Sequence, residues 1–60
     1  MSYFEFVRAD TMEELMMVAN DRMEELTPYR QPSIKSIEYV EKSMEKPGYW
    51  IAKIEYWGLD

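Results

Sequence analysis

With no histidine and no cysteine among its 60 residues, this chain lacks the usual proton shuttle at neutral pH, the thiolate nucleophile and the ordinary zinc ligands. Chemistry would have to rest on carboxylates, hydroxyls or amines. Ser33, Ser36 and Ser43 fall in no nucleophile-elbow pattern, and Gly48 and Gly58 are the only glycines, too few for a phosphate-cradling loop. Helical spacing gathers Glu13, Asp21, Glu24 and Glu25 into what reads as a solvated face, and no Asp-x-Asp loop marks a calcium site. The expectation is a protein that is not an enzyme, with no catalytic residues, metal site or cofactor.

What remains is recognition. Arg8, Arg30 and Lys35 fall near predicted strand ends, and with neighbouring rings they are the candidates to hold a small anionic aromatic ligand by charge and stacking. The plainer reading pairs them with surface glutamates. Lys42 and Lys46, beside a predicted turn, read as solubilising charge. Trp50 and Trp57 are seven residues apart in one predicted strand and point to opposite faces, so one belongs to the core. Trp57 is the candidate interface anchor.

Seven basic residues against twelve acidic ones give a net charge of −5, which repels phosphate backbones and argues against direct nucleic-acid binding. A 47% hydrophobic composition is not that of a disordered acidic tail. No run approaches a membrane span, Met1 to Glu5 lacks the pattern of a secretory signal, and the absence of cysteine suits a reducing compartment. A soluble cytoplasmic protein is expected. At this length a single domain over residues 1–60 is only marginally stable, and without disulfides or a metal the leading source of support is oligomerisation.

The elements that would position these residues follow from periodicity. Tyr3 to Arg8 alternates as a strand, with Phe4 and Phe6 on one side and Tyr3, Glu5 and Val7 on the other. At Thr11 the period changes; its hydroxyl and Glu14 form a capping box for a helix of about four turns, whose inner face carries Met12, Leu15, Met16, Ala19, Met23 and Leu26. Thr27-Pro28 ends it. Pro28 to Pro32 is a loop and Ile34 to Lys42 a second strand, with Ile37 and Tyr39 on one face and Ile34 and Val40 on the other. Ser43 to Gly48 reverses the chain, Pro47-Gly48 suiting a type II turn. Tyr49 to Trp57 is a third strand, and Gly58 to Asp60 a short tail.

This order predicts an α+β domain, a single β-α-β-β unit with a three-stranded sheet and one helix packed on one face. Placing the third strand in the middle makes the sheet antiparallel; a parallel crossover beside the first strand is the alternative. The helix-facing core should take Phe4, Phe6, Leu15, Met16, Ala19, Met23, Leu26, Ile37, Tyr39, Ala52, Ile54 and Tyr56. One helix cannot cover both faces. Tyr3, Val7, Val40, Tyr49, Ile51 and Trp57 should then form an apolar strip on the open face, the expected ligand or subunit interface, with Met17 a smaller patch behind the helix.

Two segments carry a resemblance: the opening strand leading into Asp10-Thr11-Met12-Glu13-Glu14-Leu15 and Ala19-Asn20, and the closing hairpin from Ile34-Lys35-Ser36-Ile37-Glu38-Tyr39 through Tyr49-Trp50-Ile51-Ala52-Lys53-Ile54-Glu55-Tyr56. Together they resemble the small acidic sporulation-associated proteins of bacilli and their phages, a group that offers no site residues to carry over. The element order is also similar to that of dodecin, which implies a hollow oligomer stacking flavins between rings. Where dodecin places its stacking tryptophan this chain has Ile34 to Glu38. Two expectations result. One is a self-associating protein that acts by binding another protein, as a modulator of a host protein in a bacillus or in a phage-infected cell. The other is an oligomer that stores a nucleotide or flavin between subunits, held by Tyr49, Trp57 and Arg8 or Arg30.

Overall fold

Asp10-Thr11 is where the chain turns from strand to helix, and the forward half of the expected capping box is in place: Thr11 Oγ1 accepts the Glu14 N–H at 3.1 Å, while the Glu14 carboxylate does not reach back to the Thr11 N–H. The computed structural model describes residues 1–58 and holds four elements, β1 (Ser2–Ala9), α1 (Met12–Leu26), β2 (Ser33–Val40) and β3 (Tyr49–Trp57). Leu59 and Asp60 of the predicted tail lie outside the described residues. The helix stops at Thr27, whose backbone N–H donates to Met23 O at 3.0 Å and whose hydroxyl donates to the same carbonyl at 2.7 Å. Pro28 has no N–H with which to continue.

The three strands form one antiparallel sheet in the order β1-β3-β2, as the middle position of the third strand requires. Helix α1 covers one face. Leu15 packs with Ala9 and Ala52, flanked by Val7, Ile37 and Trp50; Ala19 and Leu26 pack with Ile54, flanked by Val7, Met23, Ile34 and Tyr56. Leu15 and Ile54 are fully buried. Burial of that kind stabilises by about 1.5–3 kcal/mol per side chain. Ala9, Ala19 and Ala52 let the helix backbone approach the sheet closely.

Three expectations need correction. The first concerns β1, whose faces are reversed relative to the sequence reading. Register pairs Tyr3 with Tyr56, Glu5 with Ile54, Val7 with Ala52 and Ala9 with Trp50, so this set faces the helix. Phe4 and Phe6 face the other way and are 49% and 63% exposed. Both sides of β1 alternate equally well, and size alone favours the larger rings for the core. Close packing instead selects the smaller Val7 and Ala9, because a phenylalanine at either position would hold α1 away from Ala52.

The second concerns β2. A register shift between Ile34 and Ser36 adds a residue to this strand, so Ile34 and Ile37 both reach the helix side although they are three apart. Ile34 therefore leaves the open face, and the strand ends at Val40 rather than Lys42. Tyr39 lies on the helix side, edge-on to Trp50 at 5.2 Å between ring centroids, yet stays half exposed. The third concerns the hairpin. Lys46 N–H donates to Ser43 O at 3.1 Å, so Met44 and Glu45 make the reversal, and Gly48 has no positive φ. Glycine is needed there for space: a Cβ would strike the Val40 carbonyl and come within 2.7 Å of the Tyr39 hydroxyl.

Candidate interaction surface

The open face of the sheet is built by alternation from all three strands. Phe4, Phe6 and Arg8 of β1 lie opposite Glu55, Lys53 and Ile51 of β3, with Trp57 beyond them opposite Ser2. On the other flank Val40, Glu38, Ser36 and Ser33 of β2 lie opposite Tyr49, Ile51, Lys53 and Glu55. No element covers this face among the described residues. Trp57 is 53% exposed, and Val40, Tyr49 and Ile51 are half-buried by their neighbours in the sheet.

Of the six residues expected on this surface, Val40, Tyr49, Ile51 and Trp57 are there. Tyr3 and Val7 are not. Val7 packs into both core clusters, and the Tyr3 ring lies 5.9 Å from that of Tyr56 on the helix side. Phe4 and Phe6 take their places. The surface is thus more aromatic than expected, and the alternation in β1 offered no signal for it, because the acidic Glu5 lies on the helix-facing side with Tyr3 and Val7.

Charges on this face are arranged against rings. Lys53 Nζ stands 4.0 Å from the Phe4 ring centroid, and the Arg8 guanidinium 4.7 Å from that of Tyr49. Lys35 meets Glu55 at 3.6 Å. The three cations expected to form one anion site are therefore dispersed: Arg8 lies at the hairpin end, Lys35 is paired, and Arg30 stands 5.7 Å from the Tyr56 ring at the other end. Tyr49 and Trp57 share the face but are eight residues apart on β3, about 27 Å at strand spacing. One subunit cannot close both rings on one ligand.

A second polar cluster lies at the seam between helix and sheet. Arg22 of α1 forks onto Glu5, Nε to Oε2 and Nη2 to Oε1 at 2.6 Å each, and its Nη1 reaches Glu25 at 2.9 Å. The Tyr56 hydroxyl donates to Glu5 Oε1 at 3.0 Å. The hydrogen bonds from Arg22 hold the Glu5 carboxyl below its ordinary range against some desolvation. Burial first, then the bond to Glu5, pushes the Tyr56 hydroxyl up, and the Arg22 guanidinium is held still more firmly protonated by Glu5. Sequence reasoning had no role for Arg22. Its sign, alone among the helix's Glu13, Glu14, Asp21, Glu24 and Glu25, was the available clue.

Among the described residues no three carboxylates converge to hold a metal ion, and no helix is long and apolar enough to cross a membrane. Comparison with family models, curated proteins and solved structures finds no match to this chain.

Proposed function

We propose that this is a non-enzymatic, self-associating protein that works by binding another protein through the open face of its sheet. The observation that carries this reading is the cluster of Phe4, Phe6 and Trp57, each about half exposed or more, on a face without a covering element among the described residues. Aromatic rings are enriched at protein interfaces, and tryptophan in particular at their energetic hot spots. A second copy is the first occupant, because the face holds both signs of charge. Arg8, Lys35 and Lys53 stand among Glu38 and Glu55, a mixture that can satisfy itself across a twofold axis.

Size bounds the affinity. Strands of eight or nine residues span about 27 Å, and three strands with their side chains offer on the order of 500 Å² per subunit. Two copies would bury about 1,000 Å², the lower limit of a specific interface. Self-association is therefore expected to be concentration-dependent and to give way to a partner with a deeper surface. The likeness of the opening strand and closing hairpin to sporulation-associated proteins makes proteins of a bacillus host the first partners to test. Sedimentation velocity and native mass spectrometry test the reading together. Phe6→Ser and Trp57→Ala should lower the average mass and release a co-purifying protein while circular dichroism stays unchanged. A variant that binds as before would remove the open face from the account.

A further inference from the structure

Where β1 enters α1 and β3 begins, a cleft of about 410 Å³ opens at the end of the sheet, lined by Arg8, Asp10, Glu14, Lys42, Lys46 and Tyr49. Three of the chain's seven cations converge here, in a protein of net charge −5. None of the three has an ion-pair partner among the described residues, although two carboxylates line the same cleft. Arg8 and Lys42 stand 4.7 and 5.4 Å from the Tyr49 ring centroid. A guanidinium against a ring keeps its N–H edge free, and that edge matches two oxygens of a phosphate. Gly48 is buried beneath Tyr39 and the Val40 carbonyl, which fixes the chain at the start of Tyr49.

We propose that this cleft binds a small phosphate ester, its phosphate among Arg8, Lys42 and Lys46 and its hydroxyls donating to Asp10 and Glu14. Ionised carboxylates only accept hydrogen bonds. They therefore take a ligand body that carries donors and reject one with a second anionic group. The ester class follows from this lining: three cations to hold a phosphate, two acceptors for hydroxyls, and about 410 Å³, enough for a sugar phosphate. The site is complete within one subunit and does not rest on the self-association proposed above.

The test is an NMR titration at constant ionic strength with inorganic phosphate, ribose 5-phosphate and ribose. Saturable shifts of the Arg8, Lys46, Gly48 and Tyr49 amides are expected with both phosphates, with ribose 5-phosphate binding more tightly and ribose alone inactive. The double variant Lys42→Ala/Lys46→Ala should weaken ribose 5-phosphate at least tenfold, and Lys35→Ala, remote from the cleft, should leave it unchanged. Shifts that fail to saturate, or that persist in the double variant, would overturn the proposal. Equal affinity for free phosphate and the ester would remove the roles of Asp10 and Glu14 and reduce the site to an adventitious ion only.

Discussion

Glu5 is held by three donors from two elements, Arg22 twice and Tyr56 once, and this makes it the residue whose ionisation is most tied to folding. Its carboxyl titrates lower in the folded chain than in the unfolded one. The stability it contributes is therefore present above the unfolded value, about 4.3, and is lost as pH falls through the lower folded value. Urea titrations from pH 6 to pH 3 should show a decline that Glu5→Gln flattens. Tyr56 acts at the other end of the scale: its raised value means that its contribution lasts below the unfolded value, about 10, and is lost as pH rises through the folded one. Gly48 gives a second expectation at this scale. Gly48→Ala must displace the Tyr39 ring or the Val40 carbonyl, and should destabilise by about 1–3 kcal/mol in thermal melts. A neutral outcome would show that the hairpin yields easily. Neither feature is visible in the sequence, because Arg22 and Glu5 are 17 residues apart and a Pro-Gly step signals a turn φ, not the close approach of Tyr39 that requires glycine here.

Among the elements, the helix was legible; the strand order, which periodicity leaves open between an antiparallel sheet and a parallel crossover, and the faces of β1 and β2 were not. Thr11, the spacing of Leu15, Ala19 and Leu26, and Thr27-Pro28 each report on their own neighbourhood, so a local signal sufficed. Which side of a strand turns inward depends on its partner. Phe4 and Phe6 outweigh Val7 and Ala9 in hydrophobicity, yet the pairing of Val7 with Ala52 beneath Leu15 decides the matter by shape. In β2 the shift between Ile34 and Ser36 breaks the alternation on which the reading rested. It also interrupts one exposed edge, which discourages uncontrolled strand pairing. The covered and open sides of the sheet make opposite predictions. Leu15→Ala, under Ala9 and Ala52, should cost about 2–5 kcal/mol in chemical denaturation. Phe6→Ser should stay within about 0.5 kcal/mol when measured on dilute monomer. A large loss for Phe6→Ser would place it in the core and reverse the assignment of faces.

For the molecule as a whole, one helix against three strands leaves one face of the sheet without cover among the described residues, and the charge is divided accordingly. Five carboxylates and one arginine lie on α1, whereas the open face holds three cations and two carboxylates. Copies are thus repelled helix to helix and tolerated sheet to sheet. The presence of an aromatic open face was legible from composition and length. Its membership was read only in part, since Val40, Tyr49, Ile51 and Trp57 were placed there and Phe4 and Phe6 were not. The most direct test is sedimentation velocity of the wild-type chain from about 1 µM to several hundred micromolar, a range that brackets the weak association expected of so small an interface. The account predicts that the average mass rises from the 7.3 kDa monomer toward a dimer, and that Phe6→Ser abolishes the rise without loss of helix. A 7.3 kDa species throughout that range, or association that Phe6→Ser leaves intact, would contradict it.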